Sequence, residues 1–385
     1  VERKAIIYQD KSYSYGDIKD MILSIEKDKS KIININGDLC PLLISKISHS
    51  ILSNKIISFE KIEDNKLFDD LSGHPGLILS TSGTSGKIKL ALHDMSFIMD
   101  RFKNGTAHRT ISFFPYNHMA GINTIFYTLS NYGTLIIPEN LTTTIICKTI
   151  EKYRAELLPT SPTFLKMLLI SEEYKNYDLS SLKIISYGSE PMPEIILRRL
   201  IEILPNVKFI QTYGSTEIGV LKIKSKTKDS LYFRITNAKY RIIDSILQIK
   251  SPTSMIGYLN HSSPFTDDGW YITGDIVEAD GDYIKIIGRK SELINVGGTK
   301  VNPIEVENII HQFDNISDVT VFGEKNNILG NIVCAKIKFM TNENENDFIL
   351  RLKKFLITKL DKQFIPIKIT IDKTKQDGFK KRRQV

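Results

Sequence analysis

Residues 77 to 89 read LILSTSGTSGKIK, a short apolar run that breaks into a turn made of hydroxyls and glycines. A continuous apolar run of this length, bounded by turn residues, fits a strand buried on both faces. Thr81, Ser82, Thr84 and Ser85 supply hydroxyl donors, and Gly83 and Gly86 leave backbone N–H groups accessible. Such a turn suits phosphate oxygens.

Outward from this turn the pattern recurs. RTISFFP (109 to 115), SLKIISYG (181 to 188) and NVKFIQTYG (206 to 214) are strand-like runs ending at Gly or Pro, joined by helix-like segments such as FLKMLLI and EIILRRLIEIL. Buried strands crossed over by helices predict an α/β fold with a largely parallel sheet and ligands at the strands' C-terminal edge. Upstream, Ala5 to Tyr15 alternates as a hairpin with its turn at Asp10 and Lys11, and Gly16 to Ile25 reads as a helix. Between Val220 and Tyr271 the runs KIKS, YRIID and LQIKSP predict an antiparallel accessory layer. After Gly288 come short strands, SDVTVFG and NIVCAKIKF, and the amphipathic segment FILRLKKFLITKL, which together read as a small α+β unit. The expected organisation is a large domain over residues 1–289, β-rich from 220 to 275, and a small, mobile C-terminal domain over 290–385.

A chain of 385 residues, 41% hydrophobic and 25% charged, has the composition of a soluble globular protein with more than one domain. No apolar stretch is long enough to span a bilayer. The start, VERKAIIYQD, lacks an initiating Met and the apolar core of a signal peptide, so a cytoplasmic location is expected. Cys40, Cys147 and Cys334 are widely separated, which argues against a disulfide framework or zinc site and for three buried small side chains. The net charge of +8 is scattered apart from KKRR at 380 to 383, a distribution that argues against nucleic acid and suits a nucleotide or an acidic carrier protein.

The turn itself excludes the P-loop of nucleotide hydrolases, because Thr81 and Ile88 occupy positions that need Gly and Ser or Thr. Four further segments follow in order: FFPYNHMAG (113 to 121), YGSTEIG (213 to 219), TGD (273 to 275) and GRKSELINVGGTKVNPIEVE (288 to 307). With TSGTSGKIK they resemble the motifs of the adenylate-forming superfamily of acyl-CoA synthetases, adenylation domains and luciferases, with most likeness to acyl- and aryl-CoA ligases.

That resemblance implies ATP, Mg²⁺ and CoA, or a carrier protein's phosphopantetheine, as cofactors, and a small carboxylic acid as substrate. Thr81, Ser82, Gly83, Thr84, Ser85 and Gly86 match its phosphate loop, and Lys89 the loop lysine. Thr216 matches the contact to the α-phosphate and Glu217 the Mg²⁺ ligand. Tyr213 and Gly214, with Gly188, Ser189 and Glu190, match the adenine site, while Asp275 and Arg289 match the ribose contacts. His118 matches the histidine bordering the acyl pocket. Ser291 falls at the hinge, and Gly297 and Gly298 match the strand lining the thiol tunnel. The catalytic tail lysine aligns with Lys380, or secondarily Lys381, because Phe379 separates Gly378 from Lys380.

Two departures bear on substrate. Met119 stands where amino-acid-activating relatives carry the Asp that pairs the α-ammonium, so α-amino acids are expected to be poor substrates. The phosphate loop begins unusually early, at residue 81, so a shortened N-terminal region and a short or medium acid, with aryl and hydroxylated acids among the options, are expected. Transfer to a carrier protein, and a degenerate adenylate-binding protein without turnover, stay open as alternatives.

Overall fold

The computed structural model describes residues 2–62, 65–82, 88–327, 329–339 and 341–372. Its largest sheet has seven strands in the spatial order Lys208–Gln211, Ile184–Tyr187, Leu157–Thr160, Arg109–Ile111, Thr134–Ile137, Lys4–Tyr8 and Lys11–Ser14. Each neighbouring pair is parallel except the last, which is a hairpin. Adjacent residues of these strands face opposite cores, as a two-residue side-chain period requires. Ile7 and Ile136 pack with the helices Thr143–Tyr153, Pro162–Ser171 and Glu194–Ile203, whereas Ile6 and Leu135 pack with Pro41–Leu52 and Met119–Ser130. Burying each such side chain contributes about 1.5–3 kcal/mol.

The first hairpin turns at Gln9 and Asp10, both with positive φ, one residue earlier than its alternation suggests. The helix that follows spans Tyr15–Ser24 and is fixed by a capping box in which Ser14 and Asp17 satisfy each other's backbone N–H groups.

The segment LILST departs from the expected strand-then-helix pattern. Strand Gly76–Ser82 lies in a second sheet and pairs antiparallel with Ile88–Asp94, in register from Gly76 opposite Asp94 to Ser82 opposite Ile88. The hydroxyl-rich turn therefore connects the two arms of a hairpin. Leu77 and Leu79 share a core with Ile6 and Leu135 of the parallel sheet, which holds the two sheets against one another.

The expected antiparallel layer is a six-stranded sheet that extends past Tyr271 to Arg289, through the long strands Tyr271–Asp280 and Tyr283–Arg289. From Ile294 onward a five-stranded sheet packs its own core against the helices Pro303–Ile310 and Glu345–Ile357. Cys147 and Cys334 are buried, but Cys40 is only half-buried at the N-cap of helix Pro41–Leu52. No helix among the described residues is long and apolar enough to cross a membrane.

Candidate active site

The C-terminal edge of the parallel sheet carries buried polar atoms that the described residues leave unsatisfied. Ser112 Oγ, Thr160 Oγ1 and Gln211 Oε1 lack hydrogen-bond partners, and each sits at or directly after the end of a parallel strand. An orphaned buried polar group costs about 1–3 kcal/mol, so three at one edge mark a surface built to meet a polar ligand.

Gly188 follows strand Ile184–Tyr187 at this edge, where a Cβ would come within 2.2 Å of Thr212 Oγ1. No larger residue fits there. Ser189 has φ +70, which turns the chain sharply, and Glu190 Oε1 accepts a 2.6 Å hydrogen bond from the Thr163 N–H. Glu190 thus places its negative charge at the N-terminus of helix Pro162–Ser171, where the helix dipole favours it.

Tyr213 belongs to strand Tyr213–Ser215, paired antiparallel with Gly219–Leu221. The pairing is tight enough that a Cβ on Gly214 would sit 2.3 Å from the Gly219 carbonyl oxygen. Tyr213 donates its hydroxyl to Asp275 Oδ2 at 2.6 Å, and Arg289 Nε donates to Asp275 Oδ1 at 2.8 Å. Burial, then the Asp275 charge, pushes the Tyr213 phenol well above its ordinary pKa, so it stays a donor. One of its ring faces lies toward Phe233, with centroids 5.7 Å apart. Asp275 and Arg289 are direct cross-strand partners, and Gly274, at φ +74, bends the chain into that position. A carboxylate has about four lone-pair sites, so Asp275 can accept ribose hydroxyls while keeping both protein donors. Beside it, Thr273, Gly274, Arg289, Lys290 and Ser291 line a cavity of about 370 Å³.

Glu217 is 9% exposed and accepts a 2.6 Å hydrogen bond from Tyr258. Burial by itself would raise its pKa, but the hydroxyl donors around it, Tyr258 foremost, outweigh that and hold the carboxyl below its ordinary value. An ionised oxygen ligand results, which fits a hard cation such as Mg²⁺. Among the described residues no group of three potential metal ligands converges. Tyr258 also lies under the Lys89 ammonium, 5.3 Å from ring centroid to Nζ, and Lys89 stands opposite Thr81 in the hairpin. The hydroxyl-rich hairpin and Glu217 are thereby coupled through one tyrosine. Thr216 is half-buried next to Glu217, and burial drives the nearby His93 down to about 4, leaving it neutral.

His118 is exposed at the N-cap of helix Met119–Ser130, in the loop that leaves the central strand Arg109–Ile111. A Cβ on Gly121 would come within 2.0 Å of the Pro115 carbonyl oxygen, so this loop folds back closely on its helix. Gly297 and Gly298, at φ +57 and +93, form the two-residue turn between strands Ile294–Val296 and Thr299–Val301. Positive φ at both positions explains the glycine pair. Gly83, Thr84, Ser85, Gly86, Lys380 and Lys381, and the side chain of Ser82, lie outside the described residues.

Tyr258 and Phe233 are the site residues that motif reading missed. Each sits in a short strand whose sequence, GY or FRI, carries no chemical signal by itself.

An α/β fold with the hydroxyl-rich hairpin, buried Glu217 and braced Asp275 presents the kinds of polar group that a nucleotide needs. The chain belongs to the AMP-binding enzyme family: that family's model matches residues 44–259, more than half of the chain, and its C-terminal domain matches residues 290–364. Indoleacetate–CoA ligase from Aromatoleum aromaticum is 28% identical over 292 residues, covering 68% of this chain and 57% of that protein. The chain therefore spans little more than half the length of that relative. In fold it is similar to an anthranilate CoA ligase solved with anthranoyl-AMP, with a TM-score of 0.78, 16% identity, and 97% and 90% of the two chains covered. It is also similar to o-succinylbenzoate CoA synthetase from Bacillus subtilis, solved with ATP and magnesium, with a TM-score of 0.72, 18% identity, and 96% and 93% covered.

Proposed function

We propose that this chain uses ATP to convert a carboxylic acid into an acyl-AMP and then transfers the acyl group to the thiol of CoA. The observation that carries the reading is Asp275, a buried carboxylate gripped by Tyr213 and Arg289 beside an open cavity.

In the first half-reaction a carboxylate oxygen attacks the α-phosphorus, the bond to the bridging oxygen breaks, and pyrophosphate leaves with the electron pair. Two anions must meet, so the protein's task is to orient donors and cations around them before reaction. Asp275 and Arg289 hold the ribose, and Gly188, Ser189 and Tyr213 border the base. The turn from Thr81 to Gly86, with Lys89, takes the β- and γ-phosphates, and Thr216 contacts the α-phosphate. Glu217 holds Mg²⁺, whose charge offsets that of the phosphates. Lys380 neutralises the reacting oxygens.

In the second half-reaction a thiolate attacks the acyl carbon and AMP departs. We assign residues 1–289 to a large domain and 290–385 to a small one that turns about Ser291 between the two steps, bringing Gly297 and Gly298 beside the thiol's pantetheine arm. His118 borders the acyl group, and Met119 leaves an α-ammonium without a partner, so simple acyl or aryl acids are preferred over amino acids.

The test is pyrophosphate release with a panel of acids, each without acceptor, with CoA and with a phosphopantetheinylated carrier protein. Acid-dependent release and a CoA thioester are expected. Acyl-AMP discharged by the carrier alone moves the acceptor to that protein, and tight AMP binding without any release would sink the catalytic reading.

A further inference from the structure

The opposite, N-terminal edge of the parallel sheet holds a second cavity, of about 450 Å³, to which the nucleotide reading assigns no role. Strands Lys4–Tyr8, Thr134–Ile137, Arg109–Ile111 and Leu157–Thr160 begin around it, and the end of helix Thr143–Tyr153 closes one side. Cations dominate its surroundings. Arg3, Lys4, Arg109, Lys152 and Arg154 line it against one carboxylate, Glu156, while Lys183, Asp10 and Asp178 pair with these groups at its edge.

The three carboxylates are already matched. Lys152 pairs with Asp10, and Arg154 with Asp178. Glu156 receives Lys183 Nζ at 2.6 Å and the Arg109 N–H at 3.0 Å. The Arg154 carbonyl at the helix end, which would otherwise repel an anion, accepts from Arg109 Nε at 2.6 Å. Arg3 and Lys4 have no ion-pair partner among the described residues and stand exposed at the mouth. His108 lines the cavity, and its Nδ1, itself shielded from solvent, has no hydrogen-bond partner among the described residues.

We propose that this cavity binds a small phosphoryl anion, such as pyrophosphate or a phosphorylated metabolite, at a site separate from the nucleotide site. Its volume is in the range of small-molecule sites. Guanidinium and ammonium groups arriving from different strands and a helix end surround a tetrahedral, multiply charged group more completely than they would a planar carboxylate. His108 lines the same cavity with an unpartnered ring nitrogen, a polar group that bulk positive charge alone does not explain. The proposal is independent of the adenylation chemistry.

Calorimetric titration of the full chain with inorganic pyrophosphate, with and without a saturating non-hydrolysable ATP analogue, tests it. Wild-type protein is expected to take up pyrophosphate in the presence of the analogue. Arg3→Ala/Lys4→Ala, both exposed positions whose loss leaves the thermal unfolding midpoint in place, is expected to weaken that uptake at least tenfold, and His108→Ala to weaken it as a second, interior variant. Unchanged affinity in these variants, absence of uptake under the analogue, or equal affinity for sulfate overturns the phosphoryl site. Uptake that the analogue abolishes and Asp275→Ala removes would leave the nucleotide site standing while overturning this one.

Discussion

Tyr213 and Asp275 lie 62 residues apart in the chain, yet the phenol donates to the carboxylate at 2.6 Å. The contact ties the 213–219 motif to the antiparallel sheet and orients the carboxylate proposed to hold ribose. Hydrogen bonds to a charged group contribute about 1.5–3 kcal/mol, so Tyr213→Phe is expected to weaken ATP binding by about tenfold to a hundredfold. Asp275→Asn should weaken it further, because Arg289 then loses its ion pair. Calorimetry with ATP on each variant checks the order; equal affinities for wild type and both variants would remove the sugar from this position.

The pairing of Glu217 with Tyr258 sets a pH dependence whose sign follows from the hydroxyl donors that outweigh burial. The folded carboxyl is depressed below its ordinary value near 4.5, so it contributes stability that is present above that value and is lost as pH falls through the folded pKa. In Tyr258→Phe the main opposing hydrogen bond is gone and burial dominates, so the carboxyl's pKa rises. The acid unfolding midpoint of the metal-free protein is expected to move to higher pH in this variant, followed by circular dichroism. A midpoint that stays in place shows that other donors hold Glu217 ionised.

The same pair shows where sequence was legible and where it was not. Glu217 and Asp275 stand out because a polar residue at a fixed place in a motif carries its chemistry with it. Tyr258 does not: its role comes from strand Gly257–Tyr258 docking on Ile88–Asp94, a pairing across more than 160 residues that no local pattern encodes. Likewise LILST reads as a strand from its apolar run, but nothing local says that the glycine turn leads to a returning antiparallel strand instead of a helix. The parallel order was legible because helices between buried strands leave few other solutions. The engagement of Glu190 with the Thr163 N–H was not, since it depends on where helix Pro162–Ser171 begins.

Gly214 has no room for a methyl group, with the Gly219 carbonyl oxygen 2.3 Å and the Val220 Cα 2.8 Å from an added Cβ. Both neighbours are backbone, so relief requires separating strands Tyr213–Ser215 and Gly219–Leu221. Gly214→Ala is expected to cost about 1–3 kcal/mol and to displace Glu217 and Tyr213 together. Differential scanning calorimetry reads the first effect and ATP affinity the second. Gly297→Ala, whose nearest atom would be Leu329 Cδ2 at 3.5 Å, is strained by its φ of +57 but should leave ATP affinity unchanged.

Lys166 and Asp318 form an ion pair at 2.6 Å with side chains only 9% and 13% exposed, joining helix Pro162–Ser171 to strand Ile316–Asn326. The His311 ring stands 3.5 Å from the same ammonium. If residues 290–385 turn about Ser291 between half-reactions, this contact has to break and its two charges have to be rehydrated, which offsets much of the Coulomb energy regained on re-forming it. Lys166→Met removes the ammonium but leaves the nearly buried carboxylate, and should cost about 3 kcal/mol. Lys166→Met/Asp318→Leu removes both charges and is expected to cost less than the sum of the single variants. A double-mutant cycle on thermal unfolding measures this coupling. In the double variant the rates of adenylation and of thioester formation from preformed acyl-AMP should change in opposite senses, because the contact favours the arrangement seen here over the turned one. Equal slowing of both steps would mean that the pair stabilises the fold without biasing the turn.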